Sequence, residues 1–200
     1  MLALAPPEAP RAGTHVSDVS ACSLETVFLS LGFFKHHFCC VSSPSLLSLK
    51  LGDLKVTSPV FGPSGRLDKR YGGDGENKSP PLVWTGAPSG TKEFALICHD
   101  PDAPLPDGFT HWVMYGIPAG VTKLAEGQKA EAFTPGVNGT QDRLHGPYPP
   151  NGHGAHHYYF WIYALGKDMR LEPGLGRPEL LRAIAGSILE QARLAGTYER

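Results

Sequence analysis

The chain carries little charge, and its charge is balanced between the two signs. Only 18% of its 200 residues are charged, with 18 Lys and Arg residues against 19 Asp and Glu residues. It has no long basic run, so it lacks the electrostatic footprint of a protein that binds DNA or RNA. We therefore expect no nucleic-acid partner.

Cysteine is scarce and unevenly placed. There are four cysteines, of which three fall in the first 40 residues, and no CxxC motif occurs. Cys39 and Cys40 are adjacent and poorly placed to bridge each other, and Cys98 lies alone in an apolar stretch. This pattern argues against a disulfide framework and favours a reducing compartment, so we expect a cytoplasmic location.

The chain also lacks a long uninterrupted apolar run. The stretch 24–38 is interrupted by polar and charged residues and is too short to cross a bilayer. A signal peptide needs a basic segment before its apolar core, and only Arg11 precedes this stretch. We predict no membrane span. Residues 1–50 are interpreted as a poorly ordered N-terminal extension, with a targeting role as the alternative, and residues 51–200 as one folded domain.

Glycine and proline are abundant, with 24 and 19 residues, as is typical of a β-rich fold with many turns. Apolar residues at helical spacing predict one helix over 178–195, with a proline in its first turn and Gly196 at its end. Many short strands with one terminal helix predict an antiparallel sandwich with a helix packed on it. The predicted strands cover 54–60, 93–99, 111–117 and 158–165, with a short apolar piece at 82–84.

Four segments are predicted to converge on one small polar pocket: 100–104, 110–113, 146–150 and 156–158. Alternate side chains of a strand face the same way, so a polar residue at a strand end lies at the rim of an apolar face. By this rule Asp100, His111, His156 and Tyr158 meet at one rim. His111 is predicted to share its face with Val113.

These side chains suit a small phosphate-bearing or other anionic ligand, because imidazole and phenol groups donate hydrogen bonds to phosphate oxygens. Asp100 repels an anion, but it can orient His111 or His156 and favour the cationic imidazole, or accept from the amine of a zwitterionic head group. Asp102 and Pro104 are assigned to the structure of the loop, and prolines stiffen the rim. No cofactor is expected.

Two other functions stay open at this point. Asp100, His111 and His156 could form a two-His-one-carboxylate metal site, or serve as acid and base in a hydrolase. However, no serine or cysteine lies in a recognisable nucleophile motif. The chain could also be a protein-interaction module with a vestigial pocket. A binding protein that is not an enzyme is favoured.

The order of the motifs resembles the phosphatidylethanolamine-binding protein family, also called the Raf kinase inhibitor-like family, over residues 51–200. The short loop between Pro104 and His111 resembles the bacterial and archaeal branch. The matching motifs are Ser58-Pro59-Val60-Phe61, the segment 74–84 (DGENKSPPLVW), DPDAP from Asp100, His111-Trp112, GPYPPNG from Gly146, the His-x-Tyr at His156, and Gly196-Thr197-Tyr198.

The resemblance implies a large antiparallel sheet packed against a smaller one, with a C-terminal helix near the pocket. It also implies a regulatory role, because relatives bind and inhibit kinases or other enzymes; such a partner is expected here, and a homodimer stays open. Four positions depart from the family pattern: Leu144, Gly116, His157 and Ser187. The ligand-binding residues it implies, together with the glycine that opens the proline loop, are Asp100, His111, Gly146, Pro150, His156 and Tyr158.

Overall fold

The structure is a computed structural model that describes residues 52–200, so the predicted extension 1–50 lies outside the described residues. Three short 3-10 turns, Lys69–Tyr71, Ala130–Ala132 and Ala185–Ser187, separate some of the regular elements. Those elements are β1 Lys55–Thr57, β2 Gly65–Arg66, β3 Leu82–Thr85, β4 Glu93–Asp100, β5 Phe109–Pro118, β6 Lys123–Leu124, β7 Thr134–Pro135, β8 His156–Leu165, α1 Arg177–Ile184 and β9 Ile188–Tyr198.

The strands form two sheets, as predicted. A small antiparallel sheet has the order β1-β3-β6, and a six-stranded sheet has the order β2-β9-β8-β4-β5-β7. The larger sheet is mixed, because β2 pairs with β9 in the parallel direction. The expectation of a purely antiparallel fold is therefore wrong at this edge. A long connection separates the two strands, so no tight hairpin forces them to run antiparallel.

The central strands are buried on both faces. One face, which includes Leu96 and Ile162, packs in a core shared with Trp84 of the small sheet. The other face, which includes Ile97, packs against Leu180 of α1. The helix therefore covers the face opposite the small sheet. Among residues 52–200, no helix is long and apolar enough to cross a membrane.

The predicted helix over 178–195 is wrong in its second half. The helix ends at Ile184, and residues 188–198 form the longest strand, which pairs with β8 along its whole length. Residues 192, 194, 196 and 198 also alternate toward the core, so the segment fits a strand period as well as a helix period. Pairing with β8 decides between the two, as tertiary context commonly does.

Candidate functional site

A cavity of about 370 Å³ opens where the loop after β4, the start of β5, the loop 146–150 and the start of β8 meet. Its walls are mainly apolar, and its polar groups lie at the strand ends. None of the residues of α1 lines it, because the helix packs on the other face of the sheet. The lining residues are Asp100, Ala103, Pro104, Leu105, Phe109, His111, Thr140, His145, Tyr148, Pro149, Pro150, His156 and Tyr158.

A β-bulge places His111 in this cavity. Cys98 lies opposite Trp112, and the next residue of β4, His99, lies opposite Thr110, so His111 is an extra residue in β5. An extra residue re-aims side chains relative to regular alternation. The bulge therefore sets the direction of the His111 side chain.

The consequence is that His111 does not share a face with Val113, as alternation predicted. The Val113 side chain packs with the helix-side core, whereas the His111 ring lies edge-on to Tyr158, with 5.0 Å between ring centroids. Phe109 contacts the same imidazole at 4.7 Å. The prediction that His111 lies in the pocket assumed regular alternation of side chains along β5, and that alternation fails at His111.

The floor of the cavity contains a buried carboxylate–imidazole pair. His156 Nδ1 lies 2.8 Å from Asp100 Oδ2, and both residues are at most 3% exposed. The other carboxylate oxygen accepts from the backbone N–H of Asp102 at 2.8 Å. Because a carboxylate accepts hydrogen bonds, His156 must carry its proton on Nδ1, which leaves Nε2 to meet a ligand.

His111 is held differently and is neutral at ordinary pH. Its Nδ1 lies 2.7 Å from the backbone carbonyl of His145, which only accepts, so Nδ1 carries the proton. Burial lowers the pKa of His111 to about 4, although that carbonyl and Asp100 act in the other direction. Asp100 does favour the cationic form of His111, but the effect of burial on the pKa is larger.

Tyr158 presents a buried hydroxyl that lies beside the Asp100 carboxylate but makes no well-formed hydrogen bond to the described residues. The residue is 0% exposed, and its Oη has no hydrogen-bond partner among residues 52–200. Burial raises the pKa of Tyr158 well above its ordinary value, and the Asp100 carboxylate adds to this effect. A buried polar atom left unpaired is unfavourable unless another molecule satisfies it.

The predicted loop residues have separate roles. Asp102 Oδ2 accepts from both the backbone N–H and Nδ1 of His157, each at 2.8 Å, and so ties the loop to β8. Partial burial raises the pKa of Asp102, but these bonds outweigh it and hold the pKa below its ordinary value. Pro104 and Pro150 line the cavity.

Gly146 was predicted as a ligand residue, but it lies outside the lining of the cavity. Its backbone N–H donates to Asn77 Oδ1 at 2.6 Å. A side chain at this position would collide with the carbonyl of Tyr71. Glycine is therefore needed here for close packing of two loops, and its effect on the cavity is indirect.

Sequence reasoning missed His145, which lines the cavity beside Thr140 and Tyr148. These residues lie in loops, where no periodicity indicates a shared face. The four departures from the family pattern all lie outside the lining. One of them, Gly116, has φ +63°, a left-handed conformation that glycine adopts at no steric cost.

Comparison with known proteins agrees with this architecture. A family model described as phosphatidylethanolamine-binding protein matches residues 57–199. A UPF0098 protein of Methanothermobacter thermautotrophicus is 41% identical over 153 residues, which cover 74% of this chain and 99% of that protein.

Two crystal structures are similar over most of the described residues. A phosphatidylethanolamine-binding protein homologue from Chlamydia trachomatis has a TM-score of 0.70 at 34% identity, covering 75% of this chain and 99% of that one. YbcL of E. coli, described as a member of the mammalian family, has a TM-score of 0.69 at 28% identity, covering 74% and 99%. The chain therefore belongs to the phosphatidylethanolamine-binding protein family.

Proposed function

We propose that the protein binds a small phosphate-bearing or other anionic ligand in this cavity, and that its role is regulatory rather than catalytic. The observation that supports this most strongly is the buried, unpartnered hydroxyl of Tyr158. It is a hydrogen-bond donor held at the floor of an open cavity. A ligand oxygen is the partner that such a group needs.

The neighbouring groups fit the same ligand. His156 has Nδ1 fixed on Asp100, so Nε2 is the ring nitrogen left to contact a ligand, and it donates to a ligand oxygen when the ring is cationic. Pro104 and Pro150 give the rim fixed backbone angles, so little conformational entropy is lost when a ligand docks. The apolar walls exclude water and strengthen the polar contacts at the floor.

Calorimetric titration of the full chain with phosphoethanolamine tests the proposal. We expect saturable binding both at about pH 6 and at about pH 8. The variants His156→Ala and Tyr158→Phe should weaken it by about tenfold or more. His153→Ala is the control, because that histidine is exposed and lies outside the lining. A folded protein that gives no binding heat at either pH would contradict the proposal.

A regulatory role is supported by the surface around the cavity mouth. Leu105 and Tyr148, which are 53% and 48% exposed, line the cavity and are among the few large exposed hydrophobic residues of the described chain. Exposed apolar residues beside a ligand site are the kind of surface that a protein partner covers. A kinase or another enzyme is the partner class that the family resemblance suggests.

The interaction-module alternative rests on this same surface. It predicts that partner binding survives His156→Ala and is lost in the double variant Leu105→Ser, Tyr148→Ser. The metal-site alternative has less support. Among residues 52–200, no group of three His, Cys, Asp or Glu side chains is arranged to hold a metal ion.

A further inference from the structure

The strand β9 is longer than its neighbour β2, which covers only the end of it. β2 pairs with β9 at Gly65–Arg66 alone. Beside that pairing, the carbonyls of Ala195 and Thr197 accept from the backbone N–H groups of Ser64 and Leu67, each at 2.8 Å. The backbone groups of these two β9 residues therefore point away from β8 and toward β2.

The earlier part of β9 points the same groups into open space. Backbone groups in an antiparallel pair alternate in direction, so Gln191 and Arg193 also direct their N–H and carbonyl groups away from β8. Among residues 52–200, no strand pairs with them on that side. We call residues 191–193 the β9 edge. Such an edge is a ready template for a further strand.

The chain that leads into β1 passes close to this part of β9 but lies beneath the sheet. The backbone N–H of Leu54 donates to Glu190 Oε1 at 2.7 Å. Glu190 alternates with Gln191, so its side chain is on the face that Ala192 and Leu194 turn toward the small sheet. This carboxylate is therefore used on the opposite face from the Arg193 side chain.

Beside the β9 edge, the helix-side face of the sheet carries a cation on an aromatic surface. The Arg193 guanidinium lies over the rings of Tyr159 and Trp161, at 5.0 and 5.3 Å from their centroids. Arg193 is exposed, and it takes part in none of the ion pairs formed among residues 52–200. Stacking on the rings holds the cation beside the edge without neutralising it.

We propose that the β9 edge is a docking surface for another protein, which adds an extended segment as a new strand and places an acidic side chain against Arg193. Backbone hydrogen bonds to Gln191 and Arg193 provide affinity in this mode, and the side chain facing Arg193 provides specificity. Opposite charges on facing strand positions attract each other. The surface is separate from the cavity, because no residue of β9 lines the cavity.

NMR titration of the isotope-labelled full chain with the blocked peptide Thr-Val-Thr-Glu-Thr-Val-Thr tests the proposal. We expect the amide signals of Gln191 and Arg193 to shift on binding and their hydrogens to exchange more slowly. The peptide with Gln in place of Glu should bind about fivefold more weakly. A peptide methylated on alternate backbone nitrogens keeps the charge but cannot pair as a strand, so its binding should be lost.

A charge exchange tests the role of Arg193. We expect Arg193→Glu to weaken binding of the Glu peptide by about tenfold and to prefer a peptide with Lys at that position. Lys123→Glu is the matched control, because Lys123 is an exposed cation on β6, an edge strand of the small sheet. That variant should bind the Glu peptide as the wild type does.

The peptide comparison in wild-type protein decides the matter even where Arg193→Glu fails to fold. Unchanged signals of both amides, equal affinity for the Glu and Gln peptides, or undiminished binding of the methylated peptide would each overturn the proposal. Slow exchange of both amides in the free chain at low concentration would show that this chain itself covers the edge. Slow exchange that develops as the protein concentration rises would assign the edge to a second copy. Either result would overturn the proposal as well.

Discussion

Two neighbouring Asp–His pairs in this protein share the same contact distance. Asp100 with His156 and Asp102 with His157 each have 2.8 Å between the imidazole Nδ1 and a carboxylate oxygen. Their surroundings differ, because the side chains of the first pair are 3% and 4% exposed and those of the second are 41% and 44% exposed. The contact distance is the same in both pairs, but the contribution of each pair to stability and its role in the protein depend on burial.

The buried pair belongs to the cavity, whereas the exposed pair belongs to the scaffold. Both Asp100 and His156 line the cavity, and neither Asp102 nor His157 does. Removing one partner of a buried hydrogen-bonded pair leaves a polar group without water to replace the partner, whereas an exposed pair exchanges its partner for solvent. The following changes separate the two regions, from the largest expected effect to the smallest.

The largest effect should come from Asp100→Ala. It leaves His156 Nδ1 and the Asp102 backbone N–H unpaired in a buried place, so we expect a loss of about 3 kcal/mol in the free energy of unfolding. Urea denaturation near neutral pH measures it. A loss below about 1 kcal/mol would show that the buried pair is no stronger than a surface pair.

Acid pH should lower the stability of the folded protein through the second buried histidine, His111. The pKa of His111 is lowered from 6.5 to about 4 in the folded protein, so the unfolded chain takes up a proton first as pH falls. Stability is therefore full above pH 6.5 and decreases between pH 6.5 and about 4. The expected loss is roughly 3 kcal/mol at low pH. His111→Gln should flatten this part of the dependence of stability on pH. An unchanged profile would contradict the assignment of this loss of stability to His111.

The hydroxyl of Tyr158 should contribute to ligand affinity without contributing to the stability of the fold. Tyr158→Phe removes a buried group without a hydrogen bond, so we expect the free energy of unfolding to stay equal or rise by up to about 1 kcal/mol while ligand affinity falls. Tyr115→Phe is the matched control, because the Tyr115 hydroxyl donates to the Glu172 carbonyl at 2.6 Å. That variant should lose about 1 kcal/mol and keep ligand affinity.

The smallest effect should come from the exposed pair. His157→Ala removes the side-chain contact to Asp102, and we expect a change within about 1 kcal/mol in the free energy of unfolding. Thermal denaturation at low and high salt measures it. A destabilisation as large as that of Asp100→Ala would mean that burial does not govern the difference between the two pairs.

Much of the candidate site could be predicted from the sequence. The alternation in β4 and β8 predicts that Asp100, His156 and Tyr158 share one rim, because a side-chain period of two survives wherever pairing is regular. That period fails at His111, where a bulge adds one residue, and a bulge leaves no mark in a hydrophobic pattern.

The helix error and the missed lining residue have different physical causes. The segment after Ile184 fits both a helical and a strand period, and only its pairing with β8 decides between them. His145 comes to the cavity from a loop, where side-chain direction depends on tertiary contacts rather than on periodicity. The parallel pairing of β2 likewise depends on contacts between residues far apart in the chain.

The most direct test of the account compares ligand binding by the two histidine variants. Calorimetric titration with phosphoethanolamine at about pH 6 should give binding in wild-type protein and in His157→Ala, and binding weakened by about tenfold or more in His156→Ala. This result would place the ligand at the buried pair. Equal affinities in the two variants, with both proteins folded, would contradict the assignment of the cavity as the binding site.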